Sequence, residues 1–278
     1  MKTALVSLLW ILAFSLQSPA QFKTYLPQIA VGDATGLTWR TAIVVMNTAA
    51  NGTANASVIV RFTKSDGTAF DIASSFVDEN RQPIGATGNT ISFQISGGQT
   101  RFLILRSRTT SFPLAVGFAT IESNFLVAVG ATFKAVQWDC VVNGGVNGVN
   151  GCVGGADEIS ISEAGINMAD PLQRQAIIVV HNEKNDTAVA IVNPNPTTAT
   201  ATFQLLATNG TFPFATVTRT LAANNHTALF ISELFPNLPG SFWGTLQVTT
   251  SSQTPLAAMT LLFQTNGQFS TFPVVQMR

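Results

Sequence analysis

The sequence predicts an all-β protein, built as two tandem antiparallel β-sandwich (Ig-like) domains that are related by an internal repeat. Three observations support this prediction. The polar residues are mainly Thr, Ser, Asn and Gln, and with 20 Phe and 21 Gly they are typical of strands and tight turns. Apolar residues alternate with polar ones over many short segments. The order of these segments also occurs twice along the chain.

The alternation has a period of two residues, as in a strand with one buried face. Val58, Val60 and Phe62 alternate with polar neighbours in the first half, as do Ala201 and Phe203 in the second. Burial of one face is typical of antiparallel sheets. We expect about seven such strands in each copy, arranged as a sandwich, although a closed barrel of similar strands has the same pattern.

The repeat is visible as five pairs of segments in the same order. Asp66-Gly67 and Asn209-Gly210 provide a hairpin turn at corresponding places in the two copies. The pairs are 41–47 (TAIVVMN) with 187–193 (TAVAIVN), 57–70 with 198–214, 95–105 with 221–231, 117–123 (GFATIES) with 243–249 (WGTLQVT), and 126–133 (LVAVGATF) with 256–263 (LAAMTLLF).

The two copies end differently. The second turns through 265–267 into a short final hairpin, whereas the first carries a Gly/Asn-rich tip between Cys140 and Cys152 before the chain returns as ADEISISEAGI. The predicted organisation is therefore a signal peptide at 1–20, a first sandwich at 21–166, a linker at 167–173 and a second sandwich at 174–278. One helical turn is expected at 232–238, where Ser232 is a suitable cap and Pro236 stops the helix.

The first 20 residues have the features of a secretory signal. One lysine is followed by an apolar run at 4–16 and by Ser18-Pro19-Ala20, which places small residues where signal peptidase cleaves. A membrane anchor would need roughly 20 apolar residues. We therefore expect cleavage after Ala20, a secreted or cell-envelope location (extracellular or periplasmic), and no integral membrane segment after cleavage.

The segments at 26–47 (LPQIAVGDATGLTWRTAIVVMN) and 230–236 (FISELFP), with the repeated strand order, carry a resemblance. The chain resembles a group of uncharacterised bacterial secreted proteins with tandem β-sandwich repeats. The resemblance covers most of the chain after the signal and implies a bacterial exported protein. It implies no catalytic residues and no assigned activity.

Charge excludes one class of partner. The chain has 14 basic and 14 acidic residues, so its net charge is zero, and charged residues make up only 10%. It lacks the basic stripe that binding to a phosphate backbone requires, so nucleic acid is not an expected partner. The expected partner is a protein or glycan at the cell surface, and no cofactor is expected.

Cys140 and Cys152 are the only cysteines, and in an exported chain they predict a disulfide that closes the tip. A metal site with two cysteine ligands is the alternative, but no His or second Cys pair lies nearby. The acidic segments at 78–80 and 157–158 lack the spaced ligands of a calcium loop and are expected to be solvated turns. No metal site is predicted.

Catalytic residues are not predicted. His181 and His226 are the only histidines, no GxSxG motif is present, and both histidines are expected to be exposed loop residues. A secreted hydrolase remains the alternative, and it would require one of them to meet Ser and Asp side chains in one cleft.

Three tryptophans follow the signal segment. Trp39 and Trp243 begin strands within the repeat and are expected to pack in the core or at its rim. Trp138 lies beside the tip and has no counterpart in the second copy, so we expect it to be exposed as a ligand contact. The leading functional hypothesis is a non-catalytic adhesion, scaffold or envelope protein, and a carbohydrate- or ligand-binding module is the alternative.

Overall fold

The computed structural model describes most of the chain after the predicted signal peptide. Outside the described residues lie the signal segment, the 78–80 acidic segment, the 140–156 tip with both cysteines, and the Asn209-Gly210 turn. The described ranges are 22–34, 36–71, 76–77, 86–105, 113–139, 157–208, 213–251 and 253–277.

The first domain is a two-layered antiparallel sandwich. One layer has the strand order β1-β8-β3-β6-β5 and the other has the order β10-β9-β2-β7-β4. β1 joins the layers, because it pairs with β8 up to Val31 and with β2 from Gly32 onward. The strands are β1 (Phe22–Ala34), β2 (Leu37–Asn47), β3 (Asn55–Lys64), β4 (Phe76–Val77), β5 (Ala86–Thr87), β6 (Thr90–Ser96), β7 (Thr100–Leu105), β8 (Ala115–Ser123), β9 (Val127–Asp139) and β10 (Asp157–Asn167).

The second domain has the same design. Its layers have the orders β14-β13-β16-β11-β19 and β15-β12-β17-β18, joined by the β11–β12 hairpin. Its elements are β11 (Arg174–Asn182), β12 (Asn185–Val192), β13 (Ala199–Ala207), β14 (Pro213–Leu221), β15 (His226–Phe230), α1 (Ile231–Leu234), β16 (Phe242–Thr250), β17 (Ala257–Gln264), β18 (Phe269–Ser270) and β19 (Val274–Gln276). The predicted fold class, two tandem antiparallel β-sandwiches, is confirmed.

Strand pairing reproduces the repeat. β1 pairs with β2 and β8 as β11 pairs with β12 and β16, and β2 pairs with β7 and β9 as β12 pairs with β15 and β17. β11 therefore holds the place of β1, although it lacks the LPQIA opening of the first copy. Each domain also has more strands in its described part than the seven expected, because short strands such as β4 and β19 extend the sheets.

Two buried polar residues of the repeated TAxxxxN segment have the same role in both domains. The hydroxyl of Thr41 donates to Ala30 O and accepts from its N–H, and Thr187 does the same with Val180, at 2.9–3.1 Å. The side chains of Asn47 and Asn193 each donate to backbone carbonyls of the following loops. Gly98 and Asn224, which are aligned in the sequence, share a left-handed backbone, with φ of 76° and 52°. The two domains therefore share individual hydrogen bonds and backbone conformations as well as the order of their strands.

The sequence alignment was wrong by one residue in two segments. A Cβ on Gly117 would lie 2.0 Å from Thr63 O, and one on Gly244 would lie 2.0 Å from Leu206 O, so these two glycines are equivalent. Likewise Thr41 pairs with Phe133 and Thr187 with Leu262. Gly117 therefore does not correspond to Trp243, nor Phe133 to Phe263. A shift of one residue moves every side chain to the opposite face of the sheet.

The prediction that each strand has only one buried face was also wrong for four strands. β3 and β13 alternate as expected, but β1, β8, β12 and β17 are buried on both faces over much of their length. The reason is that the β15-β12-β17-β18 layer lies between the other layer of its own domain and the first domain. The continuous apolar runs AVAIV and LAAM are typical of such strands.

A shared core joins the two domains. Ala190, Met259, Leu261 and Phe269 of the second domain belong to the same buried cluster as the core of the first. Aromatic rings continue this contact, with ring centroids 5.0–5.7 Å apart. They run from Trp39 and Phe133 through Phe269 to Phe263 and Phe230. Aromatic pairs at this separation stabilise beyond the burial of their area, so the domains are docked as one body.

The predicted helical turn is present as α1, but its cap differs from the expected one. Phe230 occupies the cap position, and its N–H donates to the Glu233 carboxylate at 2.8 Å. The Ser232 hydroxyl donates to Asp186 instead, at 2.5 Å. No helix among the described residues is long and apolar enough to span a membrane.

Candidate functional site

The sites predicted around the tip are only partly described. The backbone of Trp138 pairs with Glu158 at the end of the β9–β10 hairpin. The side chain of Trp138, with Cys140 and Cys152, lies outside the described residues. The disulfide and the exposed Trp138 therefore stay predictions. Within the described part of the chain, His, Cys, Asp and Glu form no group of three or more that could hold a metal ion.

His226 was expected to be an exposed loop residue, and this was wrong. It begins β15, is only 3% exposed, and lies in the interface between the domains. Its Nδ1 is 2.9 Å from Ser65 Oγ and its Nε2 is 2.9 Å from Gln28 Oε1, and both partners belong to the first domain. Its backbone N–H also donates to Ser65 O at 3.1 Å. His226 therefore links the domains through both its ring and its backbone.

The environment of His226 keeps its ring neutral. Burial lowers the pKa of His226 to about 4, against a smaller opposing effect of the Pro27 backbone. With the Gln28 amide oxygen facing Nε2, the neutral ring carries its proton there, and Nδ1 faces the Ser65 hydroxyl, which also lies 3.1 Å from the Val116 carbonyl. A serine and a histidine in contact are two parts of a nucleophilic site. The third group is an uncharged amide, which cannot stabilise an imidazolium as a carboxylate does.

We expect the low pKa of His226 to make folding stability depend on pH. The unfolded chain binds a proton near pH 6.5, whereas the folded chain binds it only near pH 4, so stability falls as pH falls through that window. The loss between pH 7 and pH 4 is about 3 kcal/mol. Urea unfolding of wild type and His226→Gln across this range measures it, because titration of other groups is common to both. If the free energy of unfolding depends on pH equally in the two proteins, the low pKa of His226 is contradicted.

His181 belongs to a second polar cluster. It lies near the end of β11 rather than in a loop, and its Nδ1 is 3.1 Å from Asp186 Oδ1. Oδ2 of Asp186 accepts from Ser232. The cluster contains the three residue types that the hydrolase alternative requires. However, Asp186 contacts both His181 and Ser232, and so lies between them. Because a triad places the histidine in contact with the nucleophile, this arrangement instead ties α1 to the β11–β12 hairpin.

A cavity of about 360 Å³ lies between the domains and is the best candidate for a binding site. Gln28 and Glu233 contribute polar side chains to its lining, and Glu233 is exposed to solvent. Apolar cavities of this volume at domain interfaces are common ligand sites. The apolar lining includes Trp39, Val116, Phe133, Phe230, Met259 and Phe263.

Trp39 and Trp243 differ in their surroundings. Trp39 packs against Phe133 and Phe269, in agreement with its predicted place in the core or at its rim. Trp243 is 58% exposed on the outer face of β16, so its predicted packing in the core or at its rim was wrong. The one-residue error in the alignment explains this result, since it placed Trp243 opposite Gly117.

The sequence gives little signal for the interface between the domains. His226 and Gln28 lie 198 positions apart, and nothing in the segments around them indicates that they meet. The continuous apolar character of β12 and β17 was the available sign that this layer is covered on both faces.

No protein-family profile matches the sequence, and no curated protein is significantly similar to it. The function of the chain is therefore inferred from its own residues and their arrangement.

Proposed function

We propose that the chain is an exported, non-catalytic protein with an adhesion, scaffold or cell-envelope role. The observation that carries this proposal is the shared core, in which Phe269 of the second domain packs on Trp39 and Phe133 of the first. Such docking makes a stiff block from two sandwiches and leaves their outer sheets accessible. A stiff block with accessible sheets suits contact with a surface.

The arrangement of the polar clusters supports a non-catalytic role. His226 is buried between the domains with its pKa far below neutral. His181 contacts a carboxylate that is already bonded to Ser232. Both clusters join separate elements of the fold, which is a structural use of these side chains.

Fractionation of native cells that produce the tagged full chain tests export. We expect the protein in the envelope or the medium, beginning at Gln21 when its N-terminus is determined by mass spectrometry. An uncleaved protein in the cytosol would overturn the proposal.

A glycan or protein at the cell surface is the proposed partner, with Trp138 as a contact. Stacking on an aromatic ring is one way in which a sandwich holds a sugar. A glycan array with wild type, Trp138→Ala and Phe125→Ala tests this contact, since Phe125 is an exposed aromatic control in the turn between β8 and β9. Loss of binding in the first variant alone supports Trp138, whereas equal binding by all three proteins rules it out as the contact.

The cavity between the domains supports a second candidate, binding of a small apolar ligand. Its lining would bury a short alkyl chain, and Glu233 would attract a cationic head group. Titration with dodecylamine, followed by the fluorescence of Trp39, tests this, with dodecanoic acid as the probe of opposite charge. We expect saturable binding of the amine that Ala190→Phe abolishes by filling the cavity. Equal responses in wild type and variant would contradict a site in the cavity.

A further inference from the structure

The interface within the chain joins two different faces of the repeated unit. The first domain contributes the outer face of β1 and β8, with Tyr25 and Phe118. The second contributes the outer face of β12 and β17, with Val192 and Ala257, which pack on those two residues. Because the domains are repeats, each also has its own copy of the face that the other uses.

The free copy of the first face lies on the second domain, and we name it the β16 face. Ala30 pairs with Val116 as Val180 pairs with Trp243, which makes Trp243 the counterpart of Val116. The short strand β19 completes the correspondence, since Val275 pairs with Ala176 as Ala169 pairs with Tyr25. Three large apolar side chains of this face are exposed, Trp243 at 58%, Val275 at 55% and Ile178 at 46%, whereas Val180 is buried.

The free copy of the second face lies on the first domain, and we name it the β2 face. Met46 pairs with Ala128 and Thr100 as Val192 pairs with Ala257 and His226, so Met46 is the counterpart of Val192. Phe102 on β7 corresponds to Ala228 on β15 by the same pairing. Met46 is 41% exposed and Phe102 is 45% exposed.

We propose that the β2 face of one copy binds the β16 face of a second copy and repeats the docking found within each chain. Met46 and Ala128 would then pack on Ala176, Thr245 and Val275, as Val192 and Ala257 pack on Tyr25, Phe118 and Ala169. Exposed apolar residues grouped on one face are typical of an interaction surface. The partner is therefore another molecule of this protein.

Side-chain size fits this contact. Within the chain, Val116 and Ala228 line the cavity from opposite domains and leave space between them. Trp243 and Phe102 hold the equivalent positions on the free faces, and these aromatic rings would fill the equivalent space.

The contact between copies is weaker than the contact within the chain. Thr100 is the counterpart of His226 by strand pairing, and Ile178 holds the place of Gln28, since these two residues precede the counterparts Val179 and Ile29. Ile178 and Thr100 cannot form the hydrogen bond that joins Gln28 and His226. Assembly is therefore reversible and depends on concentration. Since the two faces are different, an assembly of any length leaves one face of each kind free, one at each end, and it extends head to tail.

Sedimentation velocity of the purified protein from about 1 to 200 μM tests the assembly, a range that covers weak and moderate contacts. We expect dimers, trimers and longer species to increase with concentration. Trp243→Glu and Met46→Glu should each be monomeric alone. An equimolar mixture should form dimers that grow no further, because each variant retains one intact face.

The control is Phe125→Glu. Phe125 is exposed and lies in the turn between β8 and β9, outside the strands that form the two faces. This variant should assemble as wild type does. A wild type that is monomeric throughout, or a mixture that does not dimerise, would overturn the proposal.

Self-assembly would explain how the protein acts as a scaffold, and it rests on the proposed function only for its location in the cell envelope. A monomeric protein found in the envelope would contradict the proposed self-assembly and leave the proposed function in place. An assembling protein found uncleaved in the cytosol would do the reverse.

Discussion

Phe269→Ala is expected to lower the free energy of unfolding by about 3–5 kcal/mol, the usual cost of truncating a buried phenylalanine. Phe269 is buried, and its ring lies 5.5–5.7 Å from those of Trp39, Phe133 and Phe263. Its backbone N–H donates to Ser162 Oγ on β10 at 2.8 Å. Truncation would leave a cavity where the shared core crosses from one domain to the other. Urea unfolding measures the change.

Phe125→Ala is the matched control for Phe269→Ala. Phe125 is 40% exposed in the turn between β8 and β9, and exposed substitutions usually change stability by about 0.5 kcal/mol or less. Similar losses in the two variants would show that the ring of Phe269 is not buried between the domains.

Asn193→Ala is expected to cost about 4 kcal/mol, because it removes the side chain that closes two loops of the second domain. Asn193 is fully buried. Its Nδ2 donates to the carbonyls of Thr197, Leu221 and Ala222 at 2.8–3.1 Å, and its Oδ1 accepts from the N–H of Asn195. Truncation would remove these partners together, and the Leu221 carbonyl would be left buried without the Asn193 amide. The free energy of unfolding from urea melts checks the prediction.

Asn266→Ala provides the comparison for Asn193→Ala. Asn266 lies in the exposed turn between β17 and β18, where its Oδ1 accepts from the Gln268 N–H at 3.0 Å. Water replaces that partner at little cost, so we expect a loss of about 0.5–1 kcal/mol. A loss at Asn193 no larger than this would contradict its role as the closing residue of the loops.

Local patterns in the sequence were sufficient to predict the fold of each domain. Alternation along β3 and β13 located their buried faces, and TAIVVMN and TAVAIVN located the repeat. These signals are local, since a strand that is half buried has a two-residue period regardless of its partner. The buried threonines and asparagines of that segment were aligned correctly, because their spacing is the same in both copies.

The docking of the domains could not be predicted by the same means. The sequences of β8 and β16, and those of β9 and β17, can be aligned in more than one register with apolar residues matched. A shift of one residue moves every side chain to the opposite face of the sheet. The prediction that Trp243 packs in the core or at its rim was therefore wrong. The NNHT segment predicts a loop position for His226, and the partners that bury it, Gln28 and Ser65, belong to the other domain. Contacts between distant segments leave no periodic signal.

The most direct test of the shared core is differential scanning calorimetry of the whole protein. Separate sandwiches would unfold one after the other, as independent domains do. The core that contains Phe269, Met259 and Leu261 together with Ile43 and Phe133 is exposed if either domain unfolds alone. We therefore predict one transition, with the van't Hoff enthalpy equal to the calorimetric enthalpy. Two resolved transitions would contradict the account of two domains joined by one core.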